Sequence, residues 1–220
     1  MSRPASRNCA HSGRSFPSAR KHPAALNSSR QAPLARPFFT IGHATRSIAD
    51  FVALLQEAEI ELVADVRTVP RSRRNPQYNR DVLPTSLASF DLGYMHVPEL
   101  GGLRKHSPVP RAVNSFWENE SFHNYADYAM SSEFREGLQK LRSAGHARRC
   151  AIMCAEAVWW RCHRRIIADY LIAAGETVLH ILGPGRTELA RSTEVAVPGP
   201  SGVLVYPRAS TGNGGSSLRE

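Results

Sequence analysis

Three cysteines and a histidine crowd into one short stretch of a chain that has four cysteines among 220 residues. Residues 150–165 read CAIMCAEAVWWRCHRR, so Cys154 ends an apolar run, Glu156 follows, and Cys162 and His163 stand among Arg161, Arg164 and Arg165. A thiol between a strand end and a helix start meets free backbone N–H groups and arginines, and both favour the thiolate. The chemistry this offers is nucleophilic: Cys154 attacks, with Arg161 and the helix dipole favouring its thiolate. His43 or His163 serves as acid or base, and Glu156 orients or relays a proton. Thiolate and imidazole also suit zinc, so Cys154, Cys162 and His163, joined by Glu156 or His43, make the alternative metal site. Against it, the Cys-x7-Cys-His spacing is irregular for structural zinc, and neighbouring side chains rarely reach one ion without strain. Cys150, inside the apolar run, reads as core.

A second cluster bears on the substrate. Residues 70–80 read PRSRRNPQYNR, where Arg71, Arg73, Arg74 and Arg80 flank Asn75, Gln77, Tyr78 and Asn79. Guanidinium forks with amides and an aromatic ring suit phosphate clamping and base stacking. A solvated loop has the same composition, but most of these arginines lack acids nearby in sequence. With Arg67, Glu99, Arg161 and Arg164, residues Arg71, Arg73, Arg74, Asn75 and Tyr78 form the candidate substrate-binding set. The substrate is then an anion, either a phosphate-bearing small molecule or one linked to nucleic acid. A non-catalytic nucleic-acid-binding module, stacking bases on Trp159 and Trp160, is the competing reading.

What must position these residues is a set of alternating strands and helices. Apolar runs at 38–41, 61–67, 94–97, 149–154 and 177–182 predict five strands. Ser47, with Asp50 three positions on, caps a helix striped by Ile48, Phe51, Val52 and Leu55. A further helix falls within 82–90. Ser132 caps another, carrying Phe134, Leu138 and Leu141, and 163–174 is a helix stopped by Gly175. Such alternation implies a three-layer α/β domain, a mostly parallel sheet of about five strands with helices on both faces. Residues 98–124 read as a long loop, 183–200 as irregular, and 202–206 as a short edge strand. Ligands of parallel sheets bind beyond the carboxyl ends of the strands. Those ends carry His43, Asp65, Glu99 and Cys154, with Asp65 also able to pair with Arg67, and the four are expected to share one crevice.

Charge narrows the partners. The net charge is +9, but residues 1–37 hold seven basic residues and no acid, leaving 21 basic against 19 acidic ones elsewhere. The expected organisation is a disordered basic tail over 1–37, a single α/β domain over 38–207 and a disordered tail over 208–220. No apolar run reaches the roughly 18 residues of a membrane span. Without a secretory signal the cysteines are no disulfide framework, and a reducing, cytoplasmic setting follows.

Several of these stretches recur together in a known family. Thr40-Ile41-Gly42-His43, Asp65-Val66-Arg67 with Pro70-Arg71-Ser72-Arg73, Asn75-Pro76 and Asn79, Pro98-Glu99-Leu100-Gly101-Gly102, Tyr125-Ala126-Asp127-Tyr128, and Cys154-Ala155-Glu156 with Arg161-Cys162-His163-Arg164 resemble the domain of unknown function 488 family. The resemblance runs over about 38–207 and implies an α/β domain of bacterial type; it supplies no substrate. Rhodanese-type sulfurtransferases and cysteine phosphatases are similar more faintly. They too place a cysteine loop as an anion cradle at a helix start, but here that loop is longer and contains the carboxylate of Glu156.

Overall fold

The structure, a computed structural model, describes residues 36–208. The tails expected at 1–37 and 208–220 therefore lie outside the described residues, except at their inner ends. There Arg36 bonds Glu61 at 3.0 Å and Arg208 bonds Glu118 at 2.6 Å.

Five apolar runs form the parallel strands β1 Phe38–Gly42, β2 Leu62–Asp65, β3 Gly93–His96, β4 Cys150–Cys154 and β5 Val178–Gly183. A sixth, β6 Arg186–Leu189, runs back antiparallel to β5, giving the order β3-β2-β4-β1-β5-β6. The fold is α/β with a mostly parallel sheet. β6 was not expected, because its residues are exposed throughout and carry no apolar alternation. The strand expected at 202–206 is β8 Leu204–Val205, which pairs not with the main sheet but with β7 Val197–Pro198.

Side-chain alternation along the strands sorts the core into two layers. Phe39, Ile41, Val63, Ala151 and Met153 pack against α1 Ile48–Glu57 and α2 Leu83–Ala88. Phe38, Leu62, Ala64, Ile152 and Cys154 face the other way, toward α3 Glu120–Ala129, α4 Ser132–Ala147 and α5 Arg164–Ala173. Ser47 caps α1, accepting from Asp50 N at 3.1 Å. α4 is capped by Ser131 rather than Ser132, since it is Ser131 Oγ that accepts from Phe134 N. α3 occupies the end of what reads in sequence as a long loop. Asn119 caps it, and Phe122, Tyr125, Ala126 and Ala129 supply a helical stripe that polar neighbours obscure.

This topology makes the crevice. β4 lies between β2 and β1, and α1 leaves β1 on one face while α5 leaves β4 on the other. Connections that part between adjacent parallel strands leave an opening beyond the strand ends, where such sheets bind ligands.

Candidate functional site

The β1–β4 ladder continues past the strands, His43 N donating to Cys154 O at 2.9 Å and Ala44 N to Ala155 O at 3.0 Å. This close approach requires glycine at 42, because a Cβ there would run into the Glu156 carbonyl. Beyond the ladder lies a cavity of about 430 Å³, lined by His43, Arg67, Arg71, Asn75, Cys154, Glu156, Arg161, Cys162 and His163. Thr68, Val69, Gly102, Leu103, Ser121, Phe122 and Tyr125 also line it.

At its floor, His163 Nδ1 lies 3.6 Å from Cys162 Sγ and 4.0 Å from Cys154 Sγ. The other ring nitrogen is 3.0 Å from the Val66 carbonyl, which can only accept, so Nε2 carries the proton and Nδ1 turns toward the sulfurs. Neighbours 162 and 163 converge because the backbone breaks between them: Cys162 is extended (φ −126°, ψ 145°), His163 helical (φ −56°, ψ −16°). That answers the expectation that adjacency would keep them apart. Arg164 lies beneath, 1% exposed, with Nε 3.3 Å from Cys162 Sγ and its other nitrogens toward Thr40 Oγ1 and the Glu156 carbonyl. Among the described residues no carboxylate pairs with it, so sulfur is the acceptor that offsets a buried cation.

Acidity therefore falls on Cys162 rather than Cys154. Burial resists ionisation of Cys162, but the bond from Cys154, the neighbouring His163 and the charge of Arg164 outweigh it and hold the thiol well below its ordinary value. The same bond with Cys162, and then burial, push Cys154 up. Cys150 is core, and burial drives its thiol up to about 12. Arg164, rather than the Arg161 expected from the spacing, is the guanidinium that stands against the thiol pair.

A second network braces the β2 side. Asp65 accepts from Arg67 Nε at 2.8 Å, Arg67 NH2 at 2.6 Å, Arg67 N at 3.1 Å and Tyr94 OH at 2.8 Å, all buried or half-buried. Arg67 also donates to the Tyr78 carbonyl at 2.7 Å and reaches His43 Nε2 at 3.3 Å. His43 stacks on Tyr78, ring centroids 4.0 Å apart, and its Nδ1 donates to the Ala44 carbonyl. Its unprotonated Nε2 therefore accepts from Arg67 at the cavity wall.

Burial pushes the His43 pKa down to about 4; the Ala44 bond opposes this and the charge of Arg67 adds to it. Burial does the same to His180. An unfolded imidazole takes up its proton near 6.5, so between that pH and about 4 the unfolded chain binds more protons. The contribution of these two histidines should be flat above pH 6.5 and fall on acidification through this window. His43 contributes on the order of 3 kcal/mol of that fall at its lower end. Urea midpoints measured across the window should drop less steeply for His43→Asn, whose amide keeps the bond to Ala44; equal slopes would contradict the burial argument.

The residues singled out from sequence thus divide. His43, Arg67, Arg71, Asn75, Cys154, Glu156, Arg161 and His163 meet at the cavity. Asp65 and Tyr78 stand behind it, each fully buried, and Arg164 lies under the sulfurs. Arg73 and Arg74 are exposed and do not line it, and Glu99 pairs with Lys140 of α4 instead of joining the crevice. Trp159 stacks on His180 at 4.2 Å and covers the core, whereas Trp160 is exposed. The contributions of Ser121, Phe122 and Tyr125 were not foreseen, because the start of α3 falls within the loop expected at 98–124 and Tyr125 follows it directly; the Phe122-Tyr125-Ala126-Ala129 spacing was the signal.

Among the described residues no helix is long and apolar enough to cross a membrane. No curated protein and no solved structure matches the chain. The model of one family, described as Domain of unknown function DUF488, matches residues 47–171, a span holding Asp65, Arg67, Cys154, Cys162 and His163 but not His43. That span exceeds half of the chain, and the protein belongs to the DUF488 family.

Proposed function

We propose that the protein is a thiol-dependent enzyme acting on an anionic substrate. One observation carries this reading: the buried thiols of Cys154 and Cys162, the half-buried His163 and the guanidinium groups of Arg71 and Arg161 converge on a single cavity. Neither arginine has a carboxylate partner among the described residues, so both are available to an anion. His43, neutral near pH 7, accepts from Arg67 through Nε2 and so orients that guanidinium at the same wall. Arg73, Arg74 and Arg80 extend positive charge outward along the loop, which fits a phosphate-bearing or nucleic-acid-linked substrate. A second reading of the same centre, a zinc site, is favoured by the close spacing of its three donor atoms.

Iodoacetamide labelling of chelator-treated protein tests the thiol reading. The Cys162/Cys154 pair should be modified well ahead of Cys150, and inorganic phosphate should slow that modification. Labelling of all three at one slow rate, unaffected by phosphate, would leave only a binding module.

A further inference from the structure

We propose that Cys154 Sγ, Cys162 Sγ and His163 Nδ1 bind a zinc ion whose fourth coordination position opens into the cavity. The inference rests on the reading of this cavity as an anion site, and it gives the sulfurs the task of holding the ion in place of that of nucleophile.

Geometry carries the argument. Zinc binds thiolate sulfur at about 2.3 Å and imidazole nitrogen at about 2.0–2.1 Å, so tetrahedral angles place sulfur and nitrogen about 3.6 Å apart. The Cys162–His163 separation is 3.6 Å, and the Cys154–His163 separation of 4.0 Å needs a contraction of a few tenths of an ångström. All three donor atoms lie within 4.8 Å of one another, and the sulfurs are not joined in a disulfide.

The surroundings are those a metal ligand set requires. A zinc-bound imidazole usually donates its other N–H to a carbonyl or carboxylate, which fixes the tautomer and the ring. His163 donates to Val66 O in this way, presenting its lone pair to the sulfurs. The Arg164 Nε–H bond to Cys162 Sγ supplies the N–H donor that offsets thiolate charge. Two thiolates and an imidazole together suit zinc better than the harder divalent cations.

The number of ligands decides between a structural and a reactive site. Structural zinc is closed by four protein ligands, whereas reactive zinc keeps three and leaves one position for water or substrate. Among the described residues the cluster offers three, and the space beside it is the cavity lined by Arg71 and Arg161. An anion held there would approach the open position. On uptake of the ion each sulfur that is still protonated gives its proton to solvent, so that both bind as thiolates.

The test is metal analysis of the full chain, purified under reducing conditions and reconstituted with zinc alone. Wild type and Cys150→Ala should retain close to one zinc per chain, while Cys154→Ser, Cys162→Ser and His163→Gln should lose it. Should a variant fail to fold, wild type still decides. Chelation should release zinc and expose two thiols to a colorimetric reagent with the circular dichroism unchanged, and X-ray absorption should show two sulfur and two lighter neighbours. A folded wild type that takes up no zinc, or an ion enclosed by four protein ligands, would overturn the proposal. If zinc is absent while phosphate still shields the thiols from iodoacetamide, the metal assignment fails and the anion-site reading stands. If zinc binds but neither wild type nor Arg71→Ala responds to phosphate, the reverse holds.

Discussion

Asp65→Ala should cost about 3–5 kcal/mol of stability, the largest loss expected from any single polar substitution around the cavity. Asp65 is fully buried and accepts four hydrogen bonds, three of them from Arg67 and one from Tyr94. Removing the carboxylate strands the Arg67 guanidinium, itself 7% exposed, in a dry setting with only the Tyr78 carbonyl and a neutral imidazole as acceptors. An uncompensated buried charge costs more than the pair ever contributed, because desolvation is no longer repaid by attraction. The double variant Asp65→Ala/Arg67→Leu should therefore recover part of the loss, a non-additivity that a denaturant-melt cycle measures directly. A single-variant loss below about 1 kcal/mol would mean that water reaches Arg67 freely and that the wall is not preorganised. The expected consequence at the site is local: His43, which stacks on Tyr78 and meets Arg67, loses its fixed position.

How much of this was legible in the sequence follows from which forces set each feature. The five parallel strands declare themselves because buried strands are apolar on both faces, and Ser47 marks α1 through a local side-chain cap. β6 does not, because an exposed edge strand held by backbone pairing to β5 leaves no hydrophobic trace. α3 was hidden for the opposite reason: its buried face mixes aromatics with His123, Asn124 and Asp127, and Asp127 finds its partner in Asn114, outside the helix. The convergence of His43, Asp65 and Cys154 could be read from the strand ends alone, since parallel register aligns them. Glu99 misled because it follows its strand by three residues, and a short 3-10 turn at Pro98–Leu100 swings it toward α4. The most consequential miss concerns charge. That Arg164 is buried with a sulfur for its acceptor depends on packing beneath β1 and β4, which no spacing along the chain reveals.

Gly102→Ala should abolish the arrangement of the thiol centre while leaving the fold standing. A Cβ at this position would fall against His163 Nδ1, Cε1 and Cγ, so the methyl group and the imidazole compete for one space. The ring cannot yield easily, being tied to Val66 O at 3.0 Å and packed against Tyr125 with centroids 5.0 Å apart. Nor can the loop, since Leu103 N donates to Thr68 Oγ1, Arg104 Nε to Gly101 O, and Tyr125 OH to Leu100 O. Overpacking of this kind costs about 1–3 kcal/mol, which the domain should survive. The displaced ring would swing Nδ1 off the sulfurs, and retained zinc should fall at least tenfold in protein whose circular dichroism matches wild type. Gly183→Ala is the matched control, because a Cβ there meets nothing within 4 Å. It should keep both stability and metal. Equal metal retention by the two variants would show that His163 does not need the space that Gly102 leaves, and that the Gly101-Gly102 pair serves the loop alone.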